Sequence, residues 1–363
     1  MVDRRVGIDG LARELGLAKS TVSRALNDYP DIAAETKERV REAALRAGYH
    51  ASALARRLKR GRVETVGIVL AEPGHHLESP HLSAFLAGVA RGLEGNGLDL
   101  LVATAPAPDR WQEVYERLVE GRKADGFVVI RTETDDPRVR HLLGRGIPFV
   151  AHGRTAGGPS FAWVDVDNAA AAAEAVEHLA RLGHRRIAHL AGPARYNFAR
   201  LRREGFARGL AAAGLAADPA LVVECAISSA AGEAGARTVL ARAEPPTAIV
   251  AATDALALGA IRAIRAAGLT VGRDVSVVGY DDVPMAAVVD PPLTTFDQAS
   301  AEAGECAARL LVRLLAGEPA SALRVLRRAR LVRRASDGPP AATPQDLRRR
   351  IDAAASHSRQ GRD

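Results

Sequence analysis

Apolar residues recur at three- and four-residue spacing through the first fifty positions. Ile8, Leu11, Ala12 and Leu15 mark the buried face of a first helix, and Val22, Ala25 and Leu26 that of a second. Gly16 supplies a tight turn between them, and Leu17 plugs that turn into the core. A third pattern, Thr36, Val40, Ala43, Ala44 and Ala47, is closed by Gly48 as a helix stop. Three short helices with a tight turn between the first two predict a helix-turn-helix unit over residues 1–50.

Beyond residue 62 the pattern changes to continuous apolar runs, the mark of buried parallel strands. VETVGIVLAE is the first, followed by LDLLVAT, GFVVI, PFVAH, AWVDV, RIAHLAG, LVVECA, AIVAA and VSVVGY. Helical patterns alternate with them at Leu82–Glu94, Gln112–Glu120, Ala169–Arg181, Arg202–Ala213, Gly232–Ala243 and Leu256–Ala267. This alternation predicts an α/β body of doubly wound parallel sheets. The run is too long for one ordinary sheet, so two similar lobes divided near residue 163 are expected. The tail after Arg334, ASDGPPAATPQDLRRRIDAAASHSRQGRD, reads as a disordered basic segment: Gly338-Pro339-Pro340 breaks any helix, and only Leu347 and Ile351 could form a seam.

Charge is unevenly placed. Residues 1–62 hold 14 Lys/Arg against 8 Asp/Glu, residues 324–363 hold 11 against 4, and residues 63–323 hold 25 against 31. A basic head and tail therefore flank an acidic body, and the head suits a polyanion. Its second helix turns short polar residues outward, which lets a helix approach base edges in the major groove. Lys19, Ser20 and Arg24 would read bases, while Thr21, Ser23 and Asn27 would bond phosphates and fix register. The blander reading is a solvated helix in a small bundle. GYHASALARRLKRGR follows, with Ala53, Leu54, Ala55 and Leu58 on one side and Arg56, Arg57, Lys59 and Arg60 around the rest. So short a helix is marginal alone and could order on phosphate, with Leu58 wedged between base steps in the minor groove. A flexible basic linker over 51–62 is the alternative.

Two cysteines, Cys225 and Cys306, make neither a disulfide framework nor a zinc set. His75-His76 has no third ligand nearby in sequence, so no metal is expected, and no cofactor. With no secretory signal and no long apolar run, a cytoplasmic protein with no membrane contact is expected.

Ligands of such sheets sit outside the carboxyl ends of the strands. The residues there include Ser79, Arg131, His152, Arg154, Asp165, Asp167, Asn197, Phe198, Arg202, Thr253, Asp254, Asp281 and Gln298. Carboxylates accept from vicinal hydroxyls, Arg donates to them and a ring covers an apolar sugar face, so the mixture suits a small carbohydrate. Other readings stay open: Asp254 can cap the helix beginning at Leu256, Asp281 and Asp282 can be turn residues, and His152 can be a loop histidine.

AKSTVSRALN, ETKERVREAALRAGY, ALARRLKRGRVETVGIVL, LGHRRIAHLAGP, RLRREGF, TDALALGA, VGRDVSVVGYDD and DPPLTTFDQ occur in this order. Together they resemble the lactose-repressor (LacI/GalR) family of bacterial transcription regulators, over roughly residues 6–334. The resemblance implies base reading by Lys19, Ser20 and Arg24, a minor-groove wedge at Leu58 flanked by Ala55 and Lys59, and two lobes like those of a periplasmic sugar-binding protein. It implies lobe 1 at about 63–162 and 293–324 and lobe 2 at about 163–292 and 325–334. Arg202, Asp254 and Asp281 match its principal effector contacts, with Asp167 and Thr253 next. A homodimer on a pseudo-palindromic operator, released when the effector binds, is expected. The helix Leu82–Glu94 and that around Ile264 are candidates for the dimer contact. Departures are Ala18 and Ala33 where Ser or Thr usually caps, each costing about 1 kcal/mol, and Ala51-Ser52 at the hinge. VEGRKADGFVVIRTETDDPRV and FVAHGRT resemble the α-glucoside-operon regulators of that family, which points to a glucoside or related oligosaccharide.

Two other classes compete. A transport-type sugar-binding protein fits the body but not the basic head. An enzyme would gather Asp, His and Arg at strand ends in the same way, yet no G-x-S-x-G, P-loop or H-E-x-x-H is present, and no G-x-G-x-x-G follows the first strand. No catalytic residues are therefore assigned.

Overall fold

The computed structural model describes residues 7–47, 49, 63–71, 80–157 and 160–360, in two compact units, Met1–Glu64 and Thr65–Asp363. Ala55, Leu58 and Lys59 of the expected hinge, and His75, His76 and Ser79, lie outside the described residues.

The head is built as its periodicity requires. Helices α1 (Ile8–Leu15), α2 (Lys19–Leu26) and α3 (Ala34–Arg46) close over Leu11, Val22, Ala25, Val40 and Ala43, all fully buried. Gly16 ends α1 at φ +65°, a left-handed backbone that costs other residues steric energy. Ala18 and Ala33 occupy the N-cap positions of α2 and α3 and supply no side-chain cap.

The body holds two parallel sheets. In lobe 1 they are β1 (Thr65–Leu70), β2 (Asp99–Thr104), β3 (Gly126–Ile130), β4 (Phe149–His152), β5 (Ala162–Val166) and β11 (Arg324–Arg327), ordered β11-β5-β4-β3-β1-β2. Helices α4 (Pro80–Leu93) and α12 (Ser300–Leu315) cover one face, and α5 (Trp111–Glu120) and α6 (Pro137–Gly144) the other. In lobe 2, β6 (Ile187–Ala191), β7 (Val222–Glu224), β8 (Ala248–Ala251) and β9 (Ser276–Val278) run in the order β7-β6-β8-β9. Helices α7 (Asn168–Arg181) and α8 (Asn197–Ala212) pack on one face, and α9 (Ser229–Leu240) and α10 (Asp254–Ala266) on the other. All nine apolar runs form strands because both faces of each sheet are covered. A short helix α11 (Pro284–Val288) and an antiparallel pair, β10 (Thr295–Asp297) with β12 (Arg330–Val332), lie between the lobes' chain segments.

Two expectations need correction. First, the lobe boundaries fall later than 162/163, 292/293 and 324/325. β5 pairs with β4 and β11 with β5, so both belong to lobe 1. Thr294 bridges to Val278 of β9, so the segment entering β10 starts on lobe 2. An apolar run shows that a strand is buried but not which backbone completes its hydrogen bonds. Second, the basic tail is folded from Ala335 to Gln360. Ser336 is fully buried, bonding Val277 and Thr294, and covers the open edge of β9. His178 Nε2 meets Asp337 Oδ2 at 2.6 Å. Helix α13 (Pro344–Gln360) then seats Leu347, fully buried, and Ile351 against the lobe-2 core. Gly338-Pro339-Pro340 does stop a helix; it does not stop a packed strap.

Candidate functional site

On the head, Lys19, Ser20 and Arg24 are exposed on α2, with Thr21 and Ser23 half-buried on the same helix and Asn27 exposed at its C-cap. Both cations hold a carboxylate. Lys19 Nζ lies 2.9 Å from Asp9 Oδ1, and Arg24 pairs with Asp31 while its guanidinium sits 5.5 Å from the Tyr29 ring centre. Asn27 Nδ2 donates to the Ser23 carbonyl at 2.6 Å. Exposed pairs of this kind are worth roughly 0–1 kcal/mol, so a competing phosphate or base displaces them at little cost. Asp28, held by Lys37 at 3.1 Å and by Arg41 at 3.1 Å, has a lowered pKa, chiefly from the Lys37 bond.

In the body a cavity of about 370 Å³ opens where the carboxyl ends of the two sheets meet. It is the place that topology reserves for a ligand. Arg202, on the first turns of α8, is almost fully buried in its wall. Its Nε donates to Asn168 Oδ1 at 2.8 Å, and another nitrogen donates to the Ala252 carbonyl. Its guanidinium lies 3.4 Å from the Tyr280 ring centre and 4.9 Å from that of Phe198. A buried cation so held is rigid, and it directs its charge along one face of the cavity.

Asp281 faces the same space. Its φ of +127° is strained for a residue other than glycine, and Gln298 Nε2 donates to its Oδ1 at 2.6 Å. Burial pushes its pKa up to about 6, although Arg202 and Arg131 oppose the rise. Arg131, itself at φ +51°, closes the lobe-1 side with His152, whose ring stacks on Phe85 at 4.5 Å. Burial lowers the His152 pKa to about 3 and that of its neighbour His81 to about 4, so both are neutral donors or acceptors at pH 7. His81 Nδ1 is 2.6 Å from Ser300 Oγ and 3.2 Å from Gln298 Nε2. Phe198 and Thr253 complete the expected lining.

Two expected contacts are placed elsewhere. Thr253, not Asp254, caps α10, accepting from the Leu256 N–H. Asp254 is fully buried behind the wall. It accepts from Thr295 Oγ1 at 2.5 Å and from the Val283 N–H at 2.9 Å, and does not line the cavity. Burial, and then the Asp281 carboxylate, raise its pKa to about 7. Asp167 caps α7 through the Ala170 N–H and is likewise outside the lining. Asp167 is spent on an orphan N–H at its helix start, and Asp254 on the Val283 N–H and Thr295. Asp165, weighed among the strand ends, does line the cavity, with Arg154 Nε on it at 2.7 Å. Asn168 and His81 were missed. Asn168 stands directly after Asp167 in the DVDN run, a signal overlooked because its role is to orient Arg202. His81 follows the segment that carries no readable motif.

The chain's relatives agree with this architecture. Residues 8–52 match the bacterial regulatory proteins of the lacI family, and residues 176–336 match a periplasmic binding protein-like domain. Over 338 residues the chain is 38% identical to the HTH-type transcriptional regulator AglR of Rhizobium meliloti, covering 92% of this chain and 95% of that protein. The chain belongs to the lacI family of bacterial regulatory proteins. It is a helix-turn-helix transcription regulator. Another member, the regulator CelR of Thermobifida fusca, is 34% identical over 92% of this chain and 98% of its own. Among solved lacI-family structures, a CelR–cellobiose complex superposes at a TM-score of 0.72, with 32% identity over 91% of this chain and 99% of that one. A lac repressor dimer bound to operator and the anti-inducer ONPF gives 0.81, at 26% identity over 92% and 100%. In this lacI-family chain, among the described residues, no helix is long and apolar enough to cross a membrane, and no group of three or more metal-ligating side chains occurs.

Proposed function

We propose that the protein is a cytoplasmic repressor whose grip on a pseudo-palindromic operator is set by a small carbohydrate, an α-glucoside or related oligosaccharide, held between the lobes. One observation carries the sugar reading: Arg202, fixed by Asn168 and Tyr280, lines the same cavity as Asp281, so a rigid donor and an acceptor are both presented to a polyhydroxylated ring. Arg202, Asp281, Arg131, His152, Thr253 and Gln298 would touch it, Phe198 would cover an apolar face, and Ser79 would join them from the segment before α4. Asp254 and Asp167 act one step back, through the turns they cap or bridge. The sugar-bound CelR neighbour supports this class of effector.

On DNA, Lys19, Ser20 and Arg24 read bases, Thr21, Ser23 and Asn27 hold phosphates, and Ala55, Leu58 and Lys59 enter the minor groove. Two half-sites require a homodimer, the state in which the lac repressor neighbour holds its operator. The effector acts by favouring the lobe arrangement that cannot hold both heads on DNA, and it leaves the protein chemically unchanged. No cofactor takes part. The test is a thermal-shift screen of α- and β-linked glucosides on the intact protein, followed by gel shift on its genomic site. A true effector raises the melting point, by about 2.7 kcal/mol of stabilisation at a hundredfold excess over Kd, and releases the DNA. Tighter DNA binding with every active sugar reverses the sign, and no shift with any sugar removes the reading.

A further inference from the structure

A second cavity of about 310 Å³ lies beside the first, and Arg131 lines both. The first follows the ends of β3, β4 and β5; the second continues past Arg131 to the ends of β3 and β1, through Ile130, Leu70 and Ala71. The two thus form one row along the carboxyl edge of the lobe-1 sheet, whose order is β5-β4-β3-β1. Lobe 2 closes both. Phe198 lines the first and Tyr196 the second, and their rings are stacked at 5.6 Å and 14°.

The second cavity is built rather than incidental. Arg138 and Asp136 form a buried ion pair at 2.7 Å, and Arg138 also donates to the Arg131 carbonyl at 2.9 Å. Asp136 accepts from the Glu133 N–H at 3.0 Å, so the turn carrying Arg131 and Glu133 is fixed from behind. The Thr134 N–H then donates across to the Arg195 carbonyl at 2.8 Å, and the Asn197 N–H to the Thr132 carbonyl at 3.1 Å. Trp111 is half-buried in the wall. Arg195 lies 4.5 Å from the Tyr196 ring centre and donates to its hydroxyl at 2.8 Å. An indole surface, a guanidinium and the Glu133 carboxylate on one rigid frame are the groups that hold a pyranose ring.

Resting on the carbohydrate reading above, we infer that this cavity is a second sugar subsite, taking the outer ring of an oligosaccharide whose inner part lies against Arg202 and Asp281. Arg131 stands at the junction and reaches both rings. The protein then selects its effector by chain length as well as by linkage.

Titration calorimetry on the intact protein tests this with two series, glucose, maltose, maltotriose and maltotetraose, and cellobiose and cellotriose. In the series that binds, affinity rises about tenfold at the one ring that first overfills the inner cavity. Trp111→Ala and Arg195→Ala each abolish that step. The readout is the ratio of affinities across the step, which general loss of stability does not change, and Trp111→Phe restores part of it. An adjacent cavity that binds only a separate monosaccharide shows two sites for glucose and no step, which overturns the subsite. A step that survives both substitutions overturns it too. If sugars bind with no step at any length, this inference alone fails; if no sugar binds, the carbohydrate reading fails and takes it along.

Discussion

Asp254 and Asp281 show how one side chain's surroundings set its task. Asp254 is fully buried and Asp281 half-buried, and the Asp281 carboxylate opposes the ionisation of Asp254. Burial raises each above the ordinary value of 3.8, so the folded protein holds their protons more tightly than the unfolded chain does. Their contribution to stability is therefore complete below about pH 4 and is lost as the pH rises toward and through about 7. Asp254→Asn keeps an acceptor for the Val283 N–H and a donor for Thr295 Oγ1. Thermal melts of the unliganded protein from about pH 5 to about pH 8 should fall less steeply for this variant than for the wild type. Parallel curves would show that Asp254 is already ionised. The sequence suggested that Asp254 belongs to the site; it could not show that Thr253 takes the cap and leaves Asp254 free to bridge Thr295.

At the scale of elements, the least expected is α13. Its sequence offers only Leu347 and Ile351 on one stripe, too little apolar surface for a helix that must pack by itself. What anchors it is upstream and polar. Besides the Ser336 and Asp337 contacts, His184 reaches Thr247 at 2.9 Å and the Gly338 carbonyl at 2.9 Å. Arg350 also reaches the buried Asp274 at 2.7 Å. These bonds satisfy an open sheet edge and buried imidazoles, needs that arise only once lobe 2 has folded. Leu347→Ala should cost about 2–5 kcal/mol in a denaturant melt. A loss under about 0.5 kcal/mol would mean that the helix contributes nothing to lobe 2. The strands and the long helices were legible for the opposite reason: their burial pattern is local and repeats.

For the whole molecule, the segregation of charge is the governing feature. The head carries 14 Lys/Arg and 8 Asp/Glu, while residues 63–363, with the tail packed on lobe 2, carry 36 and 35, so electrostatics favour DNA at the head and leave the body nearly neutral. Raising salt from about 50 to about 200 mM should weaken operator binding on the order of a thousandfold, through counterion release. Calorimetry over the same range should find effector affinity changed less than about twofold, because a neutral ligand displaces no counterions. A salt-insensitive operator complex would show that phosphate contacts contribute little. By itself, the sequence determined the helix-turn-helix head, the parallel-sheet body, the family motifs and the strand ends that border the cavity. Each of these is written in a local period or in a short ordered motif. Only the tertiary structure decided which sheet claims β5, β10 and β11, which carboxylates face the cavity and which cap helices, and that the tail covers β9. Those choices depend on which distant backbone group is left unpaired when the lobes close, and a one-dimensional pattern does not encode that.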